Sequence, residues 1–232
     1  MNTTTKRLLV HIQLLATVAL VFVVPDQVSR AQTNPGSTKW ESEIRAFEAA
    51  DRTSPPPTGA VLFIGSSSIR LWKSLAQDFP GFKVLNRGFG GSQIADSTAF
   101  ADRIVLPYKP KVIVLYAGDN DIAAGRSPEQ VLADFKAFVN KVRGGLPRAR
   151  IVFLSIKPSP SRWQFVEKIR AANNLVENFC NHEKRLAYID VFNPMLGRDG
   201  SPRAELFGED KLHMNAKGYA LWTSIIRPRL AK

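Results

Sequence analysis

The sequence predicts an α/β fold in three layers, α/β/α, built on a five-stranded parallel sheet. Three observations predict it. Five near-continuous apolar runs, at 60 to 64, 83 to 85, 111 to 116, 150 to 156 and 187 to 191, alternate with segments of helical spacing. Those runs lack the in-out alternation of a half-exposed sheet, so they read as strands buried on both faces, which is the pattern of parallel sheets flanked by helices. Finally, the residues capable of chemistry fall just beyond the ends of these runs, where open parallel sheets bind ligands.

Taken in order, residues 1 to 31 read as a secretory signal peptide. Lys6 and Arg7 supply the positive start, 8 to 24 the apolar stretch, and Ser29-Arg30-Ala31 a small-x-small cleavage pattern. The competing reading is an uncleaved anchor, but the stretch is near the lower limit for spanning and is interrupted by His11 and Gln13. Residues 32 to 59 form an N-terminal helix and connector: Trp40, Ile44 and Phe47 recur at helical spacing, and Pro55, Pro56 and Pro57 then exclude helix and sheet. The domain proper, 60 to 232, begins with the first strand, which stops at Gly65 and delivers Ser66, Ser67 and Ser68. The second strand leads into a glycine cluster, Gly88 to Gly91, and the third into Gly118-Asp119-Asn120-Asp121. Ser127-Pro128-Glu129-Gln130 combines an N-cap, a first-turn proline and a capping-box glutamine, so it opens a helix whose stripe is Val131, Phe135, Phe138 and Val142 and which ends at Gly144-Gly145. A second long helix is expected over 161 to 182, with Val166, Ile169, Val176 and Phe179 on one side, and a last one over 216 to 227.

Composition narrows the function classes. Without its first 31 residues the chain keeps about 200, enough for one domain with a core but not for a large additional lid. Cys180 is the single cysteine, which excludes an intrachain disulfide and reads as a core thiol. The formal charge is +12, and removing Lys6, Arg7, Arg30 and Asp26 with the signal leaves +10. Such a surface favours anionic envelope material, phospholipid head groups or acidic glycans, as a partner. Nucleic acid is disfavoured, because no zinc-finger spacing or aromatic-basic recognition motif is present.

Serine is a weak nucleophile unless a base, an orienting carboxylate and oxyanion donors accompany it. Of the three histidines, His11 falls in the signal segment and His182 in a charged stretch closing a helix. His213 remains, and Asp210 three residues before it can reach its Nδ1 hydrogen in a turn, leaving Nε2 free to accept a proton. The glycine cluster lets a backbone N–H approach a substrate oxygen, and Asn120 offers a side-chain amide. Each half has a plainer reading: the glycines as a turn, Gly-Asp-Asn-Asp as a capping segment or a divalent-metal loop.

In order, Gly65-Ser66-Ser67-Ser68, Gly91, Gly118-Asp119-Asn120-Asp121 and Asp210-Lys211-Leu212-His213 resemble the four blocks of the SGNH hydrolases, also called the GDSL esterase and lipase family. The resemblance covers roughly 40 to 230, and the segment 63 to 72 also looks like a bacterial secreted subgroup in which serine at position 66 is ordinary. It implies a flavodoxin-like strand order, 2-1-3-4-5, with Ser67 as nucleophile and Asp210 and His213 completing a triad. The Ser67 N–H, the Gly91 N–H and the Asn120 amide would form the oxyanion hole. No cofactor or metal is implied. The sequence departs from the family pattern at Ser66, where the pattern has aspartate, and at Ser68, where it often has leucine.

The function expected is hydrolysis of carboxylic esters with short acyl chains, an acetyl ester of a sugar or small alcohol above all. A lysophospholipase or acyl-thioesterase of the same family is the alternative. From other classes, a metal-dependent phosphoesterase would use Asp119 and Asp121 as ligands, and a non-catalytic binder of anionic glycans would use the basic surface.

Overall fold

Each apolar run forms a strand, and all five pair in parallel: β1 (Val61–Gly65), β2 (Val84–Gly88), β3 (Val112–Tyr116), β4 (Arg150–Leu154) and β5 (Leu186–Ile189), in the order β2-β1-β3-β4-β5. This is the expected flavodoxin-like order, seen here in a computed structural model that describes residues 37–230. The predicted signal peptide lies outside the described residues.

Successive strand residues point to opposite faces, and the two faces have separate cores. Leu62, Ile64, Ile113, Leu115, Ile151 and Phe153 face one; Val61, Phe63, Val114, Tyr116, Val152 and Leu154 face the other. The first face is covered by α1 (Glu41–Thr53), α4 (Ile94–Ala99), α5 (Ala101–Ile104), α7 (Pro128–Gly145) and α8 (Val166–His182); the second by α2 (Ser67–Arg70), α3 (Leu75–Asp78) and α9 (Ala216–Leu230). A short α6 (Asp119–Ala123) follows β3. Fully burying a large apolar side chain is worth about 1.5–3 kcal/mol, so residues such as Phe135, Phe153 and Trp222 carry much of the stability.

Local chemistry sets the boundaries. The Ser127 side chain accepts from the Gln130 N–H at 3.2 Å and the Gln130 side chain answers to the Ser127 N–H at 2.9 Å, the expected capping box of α7. The helix expected from 161 begins instead as a 3-10 turn, Pro160–Phe165, and becomes α-helical only at Val166. Pro160 opens that turn, and its tighter winding carries the chain from the β4 loop to the helix. The last helix runs past 227 to Leu230 with Pro228 inside its final turn. His182 is exposed at a helix end with its Nδ1 2.8 Å from the Asn178 carbonyl oxygen, and Cys180 is buried, its thiol pushed up to about 12 by desolvation.

The N-terminal helix is integral to the core. Trp40 and Ile44 are buried with β1 and β3 residues, and Arg87 on β2 reaches Asp51 at 2.5 Å and the Tyr108 hydroxyl at 3.1 Å. No helix among the described residues is long and apolar enough to cross a membrane.

Candidate active site

Three strand ends and one long loop build a single rim at the carboxyl edge of the sheet. At the first, Gly65 has φ +132°, and a Cβ there would stand 1.8 Å from the Tyr116 carbonyl oxygen, so glycine is required. The Ser66 N–H donates to that same carbonyl at 2.9 Å, and the chain turns directly into α2 with Ser67 as its first residue. Ser66, one of the two departures from the family pattern, is fully buried and its hydroxyl makes no hydrogen bond among the described residues. From α9, the Tyr219 hydroxyl donates to the Ser68 carbonyl at 2.9 Å and holds α2 from behind.

The imidazole arrives from the loop after β5. Lys211 sits in left-handed backbone at φ +55°, which folds the segment so that both Asp210 oxygens are used. Oδ1 accepts from the Leu212 and His213 N–H groups, each at 2.9 Å, and Oδ2 lies 2.5 Å from His213 Nδ1. His213 Nε2 is 2.9 Å from Ser67 Oγ. With Nδ1 donating to the carboxylate, Nε2 is the acceptor facing the hydroxyl. Desolvation pushes the Asp210 carboxyl up, but the two backbone N–H groups and the imidazole outweigh it and hold the group at about 2. The side chains of His213 and Asp210 retain 31% and 50% of their exposure, so the relay lies on an open rim.

The other two strand ends meet each other. Gly91 is exposed, at φ +69°, with open space where a Cβ would go; the backbone conformation, not crowding, calls for glycine. Asn120, in the first turn of α6, donates its Nδ2 to the Ser92 carbonyl at 3.1 Å, leaving its second amide hydrogen unbonded to protein among the described residues. The neighbouring Asp121 accepts from the Ile94 N–H at 3.1 Å, a second link between the same two loops; burial pushes its carboxyl up to about 7.

Sequence reasoning did not foresee what lies beneath Asn120. Lys157, fully buried just beyond β4, donates to Asp119 Oδ2 at 2.8 Å and to the Tyr116 hydroxyl at 3.1 Å. The Tyr116 hydroxyl in turn donates to Asp119 at 3.3 Å, while Asp119 Oδ1 accepts the Asn120 N–H at 3.0 Å. Burial pushes the Asp119 carboxyl up, but the Lys157 ammonium more than offsets it and the net shift is downward. Asp119 therefore has both oxygens engaged by protein donors, unlike a carboxylate awaiting a cation. The available signal was a lone lysine following an apolar strand. The N-terminal helix contributes a second unforeseen support: Trp40 Nε1 donates to the Gly90 carbonyl at 2.5 Å and its ring packs edge-on against Phe89.

Residues 65–221 match the model of the GDSL-like lipase/acylhydrolase family. The chain belongs to that family. Among curated relatives of this acylhydrolase, the human platelet-activating factor acetylhydrolase IB subunit alpha1 is 29% identical over 197 residues, covering 79% of each chain. Among solved structures, a GDSL-like lipase from Bacteroides thetaiotaomicron superposes with a TM-score of 0.71 at 16% identity, covering 82% of this chain and 98% of that one. A carbohydrate esterase family 3 protein from Talaromyces cellulolyticus gives 0.53 at 19% identity, covering 74% and 95%. At these identities the structural neighbours speak to the fold alone.

Proposed function

We propose that this acylhydrolase cleaves carboxylic esters of short acyl groups through Ser67, His213 and Asp210. The observation that carries the reading is the continuous relay from Ser67 Oγ to His213 Nε2 at 2.9 Å and from His213 Nδ1 to Asp210 at 2.5 Å. His213 takes the Ser67 proton as Oγ attacks the ester carbonyl, and Asp210 stabilises the imidazolium so formed. The alkoxide of the tetrahedral intermediate is held by the Ser67 N–H, one of the unpaired donors of α2, by the Gly91 N–H and by the free Asn120 amide hydrogen. The alcohol departs with the proton from His213, and water then attacks the acyl-enzyme by the same route.

Two things favour acetyl: the relay lies on an open rim, and a curated relative is named an acetylhydrolase. The leaving alcohol on this reading is a sugar or a small alcohol, which the open rim admits. With cleavage after residue 31, the protein works in the periplasm or outside the cell, where such esters and anionic envelope surfaces occur.

Fluorophosphonate treatment followed by mass spectrometry tests the chemistry: Ser67 is expected to carry the label and Ser67→Ala to lose both label and turnover while keeping its melting temperature. A p-nitrophenyl ester series, run beside acetylated xylan and a lysophospholipid, tests the substrate. Highest kcat/KM on acetyl esters supports the reading, whereas a maximum at long acyl chains or on the lysophospholipid moves the assignment to the lysophospholipase alternative.

A further inference from the structure

Because all five strands run in parallel, their amino ends share one edge, opposite the rim that carries Ser67. That edge is cationic. Lys83 immediately precedes β2, Lys111 precedes β3 and Arg185 precedes β5, while Lys109 and Arg148 stand beside a cavity of about 700 Å³ walled by Leu106, Pro110, Leu146 and Pro147. All five cations are exposed, and none of them takes part in a salt bridge among the described residues. Of the acids on the neighbouring helices, Glu183 is taken by Arg143 at 3.0 Å and Asp102 by Lys141 at 2.6 Å. Lys109 and Arg185 also occupy left-handed backbone, at φ +46° and +62°, where glycine or asparagine would be less strained. With strands about 4.8 Å apart, the row from Lys83 to Arg185 crosses four spacings, roughly 19 Å.

We propose that this edge docks the protein on an anionic phospholipid bilayer. A row of cations without a carboxylate partner among the described residues gives the charge complementarity, Arg185 donating only to the Arg148 carbonyl at 3.3 Å, and the apolar cavity beside them decides for a bilayer over a soluble polyanion. A headgroup with its glycerol and upper acyl carbons fills a pocket walled by leucine and proline under a rim of lysine and arginine, whereas an acidic polysaccharide gains nothing from apolar walls. The Lys111 methylenes already pack over Gly59, the apolar stem lying along the protein as such side chains do at membrane interfaces. Docking does not depend on ester hydrolysis. If the hydrolase reading holds, the orientation adds a consequence: Ser67 faces away from the bilayer, so the ester comes from the solution side.

The test is co-sedimentation of the full chain with vesicles of phosphatidylglycerol and phosphatidylcholine, or of phosphatidylcholine alone, against the triple variant Lys109→Glu, Lys111→Glu, Arg148→Glu. At roughly five-fold per cation near an anionic surface, the triple change is expected to weaken binding to the anionic vesicles by about 100-fold or more. Binding to neutral vesicles should be equal for the two proteins, and salt should abolish the difference between them. Turnover of p-nitrophenyl acetate should be unchanged by the triple change and by vesicles, and its absence from both proteins would bear on Ser67 without touching the vesicle result. If the reversed variant melts early, the triple glutamine variant replaces it, with about a 100-fold loss expected from removing three cations. Equal partition of wild type and variant overturns the proposal, and so does tighter binding of the wild type to an acidic polysaccharide than to anionic vesicles at matched charge.

Discussion

Lys157→Met is the sharpest perturbation available. It removes one half of an ion pair whose side chains are 0% and 5% exposed, and leaves the Asp119 carboxylate buried beneath Asn120 without its counter-ion. Breaking a buried pair in this way costs about 3–5 kcal/mol, because the stranded charge has lost its water as well as its partner. For a chain of this size each kcal/mol moves the melting temperature by roughly 2–4 °C, so a fall of about 6–20 °C is expected. The double variant Asp119→Asn, Lys157→Met removes both charges and keeps an acceptor for the Asn120 N–H. It should recover most of the loss, since neutral replacement of a buried pair is often harmless.

The pH dependence has a definite sign. In the wild type the Asp119 carboxyl is held below its ordinary value, so its contribution to stability is present above the unfolded pKa of about 3.9 and is lost as pH falls through the lower folded value. In Lys157→Met, desolvation is opposed only by Arg162, the Tyr116 hydroxyl and the Asn120 N–H, so the same carboxyl rises; the penalty is then full at high pH and shrinks as protonation neutralises the group. Urea unfolding of wild type, single and double variants at pH 8 and pH 5 measures this. A single variant no less stable than the double at pH 8, or a deficit that widens toward pH 5, would refute the reasoning.

Asn120→Ala should lower kcat on p-nitrophenyl acetate by about 10²–10³ with KM little changed, the usual effect of removing one oxyanion donor, and full turnover would remove Asn120 from that role. Asp210→Asn should lower kcat by about 10⁴, by analogy with loss of the orienting carboxylate in other serine hydrolases. Trp40→Phe keeps a ring against Phe89 but deletes the bond to the Gly90 carbonyl. A melting temperature lower by about 1–6 °C, for a lost hydrogen bond of about 0.5–1.5 kcal/mol, is expected together with a several-fold fall in kcat at constant KM. Unchanged kcat would show that the bond serves stability alone.

The strands and the residues at their ends were legible because both signals are local: an apolar run long enough to be buried, then glycine where a turn must form. The Asp210–His213 contact was legible for the same reason, its partners being three residues apart. Strand order is different. Periodicity places β1 before β2 but does not say that β3 returns to the far side of β1, and only the family resemblance supplied that. The Lys157–Asp119 pair joins residues 38 apart and the Trp40–Gly90 bond residues 50 apart, with no pattern along the chain to connect them. A buried lysine in particular looks like a surface lysine until its counter-ion is located. The 3-10 start of α8 was missed because amphipathic spacing survives a few residues of tighter winding.

These long-range bonds have a common logic if Gly91 and Asn120 serve as oxyanion donors. The two stand on loops after different strands, and a misplacement of 1 Å in such a site can cost about 100-fold in rate. Loops of this kind are ordinarily among the less rigid parts of a fold. Here they are bonded directly to each other, through Asn120 and the Ser92 carbonyl and through Asp121 and the Ile94 N–H. Each is also backed from beneath, the glycine loop by Trp40 and the Asn120 turn by Asp119 on Lys157. The imidazole loop is tied as well, by the Ser161 N–H on the Lys211 carbonyl at 3.1 Å. A burial cost for the Lys157–Asp119 pair is therefore understandable where apolar residues would pack as well: an apolar pair has no directional bond with which to fix the Asn120 backbone, and a carboxylate held in place by an ammonium does.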